Sequence, residues 1–138
     1  MILFDTDILT HYWAGHARVL AKAEAANEAP VTSVVSRIEV LQGRFASVLT
    51  AADENQLLQA NERLAATDRN LAKWTIVPID AAAAAEFAQL RQNKKLRKIG
   101  RKDLLIASIA LAHRAILVTR NLRDFQLVPG LQLENWAD

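Results

Sequence analysis

Met1–Ile2–Leu3–Phe4–Asp5–Thr6–Asp7 decides how this chain is read. Apolar residues run straight into an acid, the pattern of a short buried strand with a carboxylate at its end. Three more acids sit in comparable settings. Glu39 lies in Ser33–Val34–Val35–Ser36–Arg37–Ile38–Glu39–Val40–Leu41–Gln42–Gly43, and Asp103 opens Asp103–Leu104–Leu105–Ile106–Ala107–Ser108–Ile109–Ala110. Asp124 falls in Val118–Thr119–Arg120–Asn121–Leu122–Arg123–Asp124–Phe125. Acids beside apolar strands and helices are costly unless something cationic neutralises them. Four of them, far apart in sequence, predict one metal site assembled by folding.

Working outward from residues 2–5, the pattern alternates strands and helices. A short helix is expected over Ile8–Ala14 and another over His16–Asn27. Pro30–Val34 reads as a second strand, with Ser33 or Ser36 able to cap a helix that carries Glu39 and ends near Gly43. Ala51–Trp74 is rich in helix formers, with Leu57, Leu58, Leu64 and Leu71 at helical spacing, and holds one long helix or two. Thr75–Ile79 is a third strand, and Asp80 is a ready N-cap for an alanine-rich helix over Ala81–Arg97. Gly100 breaks that helix. Asp103–Arg114 is apolar nearly all round, as a buried helix should be. Ile116–Thr119 is a fourth strand, Pro129–Gly130 a turn, and Leu131–Leu133 a fifth, edge strand. The expected fold is α/β: a three-layer sandwich whose central, mainly parallel sheet has four or five strands, as one domain over 1–138.

Composition narrows the chemistry. The chain has 138 residues, half of them hydrophobic, and no cysteine, so any metal is held by oxygen or histidine ligands. No run of about 18 apolar residues suggests a membrane span, and no basic segment leads into an apolar one at the start. A soluble cytoplasmic protein is the simplest expectation. The net charge is only +2, yet Lys94, Lys95, Arg97, Lys98, Arg101 and Lys102 fall in nine residues without an acid and lead into Asp103. Such a run reads either as a solvated helix end or as a rim that attracts phosphate.

In an open parallel α/β sheet, sites form beyond the C-terminal ends of the strands. Asp5 ends the first strand and Asp124 follows the fourth; Asp103 and Glu39 lie early in their helices. All four can point at one edge of the sheet. Left bare, such a cluster repels itself. A hard cation, Mg²⁺ or Mn²⁺, resolves the conflict, because it prefers carboxylate oxygen and keeps waters for chemistry. Metal-activated water attacking a phosphodiester in line is the reaction that follows. Thr119 and Asn121 are placed to fix an acid or a water by hydrogen bonds. Lys98, Arg101, Lys102 and Arg120 are the candidates for flanking phosphates. Taken singly, each acid has a plain reading: a strand-end acid for Asp5, a helix N-terminal acid for Asp103, a turn residue for Asp124. Glu39, in an otherwise apolar stretch, is harder to dismiss. His11, His16 and His113 show no ligand spacing and read as surface or packing residues. Tyr12, Trp13, Trp74 and Trp136 read as core or interface anchors.

These segments together resemble the PIN domain, in particular the VapC-type ribonuclease toxins of bacterial toxin–antitoxin pairs. Phe4–Asp5–Thr6–Asp7–Ile8–Leu9 resembles the family's opening strand motif, Ser33–Gly43 its serine-capped helix, and Gly100–Ala110 the stretch with its third acid. Val118–Thr119–Arg120–Asn121, Asp124–Phe125, Pro129–Gly130–Leu131 and Trp136 resemble its closing segment. The resemblance implies that Asp5, Glu39 and Asp103 are metal-binding and catalytic. Many members place the fourth acid where this chain has Asn121, so either Asn121 or Asp124 completes the site. Thr6 and Asp7 are supporting positions. The resemblance further implies Mg²⁺-dependent cleavage of RNA, a small VapB-like antitoxin, operator DNA reached only through that antitoxin, and a homodimer.

Three rivals remain at this point. Asp5–Thr6–Asp7 also looks like the nucleophile motif of haloacid-dehalogenase-like phosphatases, with Asp5 attacking phosphorus and Asp7 as acid and base. Asp103 lacks the paired acid that fold needs. A receiver module would need an aspartate at the end of the second strand, which ends in serine and valine instead. The third is an RNA-binding module whose acids are vestigial.

Overall fold

A computed structural model describes all 138 residues. Its opening strand, β1 (Ile2–Phe4), lies at the middle of a five-stranded sheet. The others are β2 (Val31–Ser33), β3 (Ile76–Val77), β4 (Ile116–Val118) and β5 (Gln132–Glu134). Their order is β3-β2-β1-β4-β5, and every pairing is parallel. The helices are α1 (Thr6–Trp13), α2 (Ala17–Ala25), α3 (Val34–Thr50), α4 (Glu54–Ala72), α5 (Ala81–Gln92), α6 (Arg101–His113) and α7 (Leu122–Phe125). The α/β architecture is the expected one. None of the helices is long and apolar enough to cross a membrane.

The pleat of the strands divides the core in two, because successive side chains point to opposite faces. Leu3 and Leu117 face one cluster with Leu104, Ile106, Ile109 and Phe125, the side of α5, α6 and α7. Ile2, Phe4 and Val118 face the other with Ile8, Leu9, Val19 and Trp136, the side of α1 and α2. Phe4 is fully buried there, with ring centroids of Trp136, Trp74 and Tyr12 at 5.4, 5.6 and 6.0 Å. Phe4, Tyr12 and Trp13 therefore serve the core.

The direction in which strands are added to the sheet reverses between β1 and β4. β1 leads outward to β2 and β3 on one side; β4 returns beside β1 and leads to β5 on the other. Crevices at such reversals, beyond the C-terminal strand ends, are where ligands bind in open α/β sheets. Asp5 and Thr119 are the first residues past β1 and β4.

Several boundaries differ from those read off the sequence. α1 starts at Thr6, earlier than Ile8, because the Asp5 side chain accepts the Thr6 N–H at 2.8 Å and caps the helix. α3 does not end near Gly43 but continues to Thr50. It packs along α4, and Arg44 Nε donates to Thr67 Oγ1 at 3.0 Å, so tertiary contact outweighs the glycine's weak helix propensity. Ala51–Trp74 holds one helix, α4, capped by Asp53. α5 stops at Gln92, short of Arg97. Asn93 turns extended and accepts the Lys95 N–H, opening a 3-10 turn over Lys94–Leu96. A continuous helix there would stack like charges four residues apart, such as Lys94 on Lys98. α6 begins at Arg101 rather than Asp103, and β5 sits one residue later than expected, at Gln132–Glu134.

Because Phe4 anchors the aromatic cluster with no exposed surface, Phe4→Ala should cost about 3–5 kcal/mol of stability. Denaturant unfolding followed by tryptophan fluorescence measures this; a loss below about 1 kcal/mol would mean the cluster is not the core it looks to be.

Candidate active site

Four acids come from four separate elements. Asp5 follows β1 and caps α1, Glu39 is in the second turn of α3, Asp103 in the first turn of α6, and Asp124 in α7. Asp5 is the most enclosed, at 8% exposure. Thr119 Oγ1 donates to its Oδ2 at 2.8 Å, and the Thr6 N–H holds its other oxygen. Thr119 is itself fixed, since its hydroxyl oxygen accepts the Asn121 N–H at 3.0 Å. Both carboxylate oxygens of Asp5 are thus oriented, each with lone pairs to spare.

Glu39 is tied to the same spot from the α3 side. Thr6 Oγ1 lies 2.9 Å from Glu39 Oε1 and 2.8 Å from Ser36 Oγ. A hydroxyl has one proton, and the carboxylate is the stronger acceptor. Thr6 therefore donates to Glu39 and accepts from Ser36. The cap of α3 belongs to Ser33, whose Oγ takes the Ser36 N–H at 3.1 Å. Ser36 is fully buried in this network, a role that its place in the sequence shows only as an alternative cap.

Asn121 and Asp124 are both present at the site. Asn121 Nδ2 donates to Asp124 Oδ2 at 3.2 Å and lies 3.4 Å from Asp103 Oδ2. One amide spans two carboxylates because Asn121 opens α7 and Asp124 sits three residues on, within one helical turn. Asp7 lies apart from this network. Two residues along a helix rotate a side chain by roughly 200°, and its carboxylate meets His11 at 4.0 Å and Arg120 at 3.8 Å. Lys98 and Lys102 are exposed, while the Arg101 guanidinium rests 4.9 Å from the Phe87 ring centroid. Arg120 is engaged with acidic partners on the α1 side.

The electrostatics show an unresolved conflict. The Asp5 carboxyl is raised from 3.8 to about 6: burial lifts it most, the bonds from Thr119 and Thr6 pull it down, and the charges of Asp103 and Glu39 add to the rise. Asp103 is also raised, by burial first, then by Glu39 and Asp124, against the Asn121 bond. The ion pairs in the structure leave all four acids without a lysine or arginine partner. The cluster is anionic, oxygen-only and uncompensated, which suits a hard divalent cation. No three acids or histidines are drawn tightly enough together to hold an ion alone. Mg²⁺ commonly takes one or two carboxylates and fills its remaining positions with water, so an open arrangement fits it. Two cavities, of about 490 and 520 Å³, lie elsewhere, around Met1 and Ile116 and around Trp13 and Trp74. Neither contains an acid of the cluster.

The PIN domain family model matches residues 2–131. The chain belongs to the PIN domain family. Among curated PIN relatives, the tRNA(fMet)-specific endonuclease VapC of Shigella flexneri is 31% identical over 76% of this chain and 85% of its own length. Ribonuclease VapC1 of Haemophilus influenzae strain R2866 is 28% identical over 98% and 97%. Among solved structures, VapBC2 from Rickettsia felis bound to a DNA fragment from its promoter matches with a TM-score of 0.78 and 30% identity, covering 99% of both chains. The phosphatase reading falls with this membership. Asp7, its required acid–base partner, is also turned toward Arg120 and His11 rather than Asp5.

The raised carboxyl of Asp5 sets a pH dependence for the metal-free protein. An acid whose folded pKa exceeds its unfolded value holds its proton longer when folded, so stability falls as pH rises between the two. For Asp5 that window runs from about 4 to about 6, and the loss is on the order of 3 kcal/mol at full ionisation. Asn at position 5 keeps a capping oxygen without the charge. In EDTA, Asp5→Asn should therefore be more stable than the parent above pH 6 and should lose that advantage near pH 4. Equal unfolding free energies at pH 7.5 would show that the buried charge carries no penalty.

Proposed function

We propose that this chain is a VapC-type endoribonuclease, the toxin half of a toxin–antitoxin pair, using Mg²⁺ or Mn²⁺ bound among Asp5, Glu39, Asp103 and Asp124, in part directly and in part through water. The observation that carries the reading is the meeting of four acids from β1, α3, α6 and α7 with no cationic side chain to neutralise them. Membership in the PIN family, and relatives named as ribonucleases, support it.

When bound, the ion lowers the pKa of water and neutralises charge building on the phosphate. The chain's own groups do the positioning. Thr119 and the Thr6 N–H aim the Asp5 carboxylate, and the Thr6 hydroxyl aims Glu39. Asn121 holds Asp103 and Asp124 at a fixed separation. The reaction is hydrolysis: a water oxygen bonds to phosphorus as the bond to the departing ribose oxygen breaks in line. Lys98 and Lys102, exposed and in no ion pair, are the groups that meet flanking phosphates.

The substrate is RNA, with transfer RNA the first to try given the specificity named for the Shigella relative. The partner is a small VapB-like antitoxin through which operator DNA is reached, consistent with the VapBC–promoter complex from Rickettsia. Phe45, Leu49, Leu57 and Leu58 stand exposed on α3 and α4 and support a surface covered by a protein, either the antitoxin or a second copy in a homodimer. We place the protein in the cytoplasm, acting as one unit over 1–138.

Cleavage of bulk transfer RNA should require Mg²⁺ or Mn²⁺, stop in EDTA, and vanish in Asp5→Asn and Asp103→Ala. Thr119→Val, which removes only the bond that aims Asp5, should reduce cleavage or metal affinity by about 10- to 100-fold. Undiminished cutting by Asp5→Asn would overturn the assignment.

A further inference from the structure

Arg120 stands between two residues of the acidic site, Thr119, which holds Asp5, and Asn121, which spans Asp103 and Asp124. Its own side chain leaves on the α1 side. Nη1 lies 3.8 Å from Asp7 Oδ2 and 3.4 Å from His11 Nε2, and Nε lies 3.5 Å from Asp138 Oδ2. Asp138 is delivered there by a built turn. Trp136 is buried in the α1 and α2 core, and Asn135 Oδ1 accepts the N–H groups of Ala137 and Asp138 at 2.9 and 3.3 Å. Asn135 Nδ2 then donates to Asp138 Oδ2 at 2.9 Å.

The result is a carboxylate presented to a guanidinium at the rim of a site for phosphodiesters. Guanidinium binds carboxylate and phosphate oxygens by the same forked geometry. Here the fork is loosely filled. Both contacts are longer than the 2.7–2.9 Å of a strong charged hydrogen bond, and the Arg120 and Asp138 side chains are 45% and 61% exposed. Exposed pairs of this kind hold little energy, so exchange for another anion is easy. We propose that Arg120 binds an RNA phosphate flanking the scissile bond, and that Asp138 occupies Arg120 in the free protein as a stand-in that this phosphate displaces. The proposal rests on the ribonuclease reading and adds a competitor built into the chain.

The test uses full-length protein carrying Asp5→Asn to prevent cutting, and fluorescein-labelled transfer RNA in Mg²⁺, with anisotropy read across a salt series. Adding Arg120→Ala should weaken binding about tenfold and reduce the slope of log affinity against log salt by about 0.7. Adding Asp138→Asn should tighten binding by about 2- to 5-fold. The two together should match Arg120→Ala alone, since the competitor matters only while Arg120 is present. Arg120→Lys should restore the slope and part of the affinity. A purely structural clamp would instead lower the thermal midpoint in both single variants and leave the salt slope unchanged, which would overturn the proposal. So would an Asp138→Asn variant that binds no more tightly. If the Asp5→Asn protein binds no RNA at all, the ribonuclease reading falls and this proposal with it; binding that ignores Arg120 and Asp138 removes the proposal alone.

Discussion

The Asp5 carboxylate is the constraint around which the rest is arranged. It is nearly buried, it caps the first helix, and it is held on its two oxygens by Thr119 and the Thr6 N–H. Those bonds favour the ionised form, yet burial and the facing charges of Asp103 and Glu39 outweigh them and leave the carboxyl at about 6. A protein selected only for stability would have no reason to keep such a group. The proposed metal role supplies one, because a cation placed among these carboxylates would relieve their mutual repulsion.

The fold supplies the position. Parallel order β3-β2-β1-β4-β5 brings the ends of β1 and β4 together at the reversal point, 114 residues apart in the chain for the Asp5–Thr119 bond. α3 and α6 then bring Glu39, from a second turn, and Asp103, from a first turn, to the same edge. The aromatic packing around Phe4 fixes β1 one residue before Asp5, so core and site share a backbone segment.

Much of this was legible before folding. The apolar run ending in Asp5, the alternation of strands and helices, and the cap at Asp80 are local signals, and each lies where its sequence suggests; of the two serines offered as the cap of α3, Ser33 takes the role. What was illegible depended on tertiary contact. Gly43 looks like a helix end, yet α4 lies alongside and the helix continues. Asn121 and Asp124 look like alternatives, but one turn of helix joins them and both reach the site. Asp7 reads as a neighbour of Asp5, whereas the early start of α1 turns it toward Arg120. The meeting of Arg120 with Asp138 depends on Trp136 seating in the core, which no local pattern announces.

The most direct test of the central claim is calorimetric titration of the metal-free protein with Mn²⁺ at pH 6, repeated in buffers of different ionisation enthalpy to count protons. Metal ligands must lose their protons on binding. With Asp5 half-protonated near its value of about 6, binding should release roughly half a proton or more, and almost none at pH 8. Saturable Mn²⁺ binding whose proton release fades with rising pH, and is smaller in Asp5→Asn, is the predicted result. No binding, or binding that releases no protons at pH 6, would contradict the account.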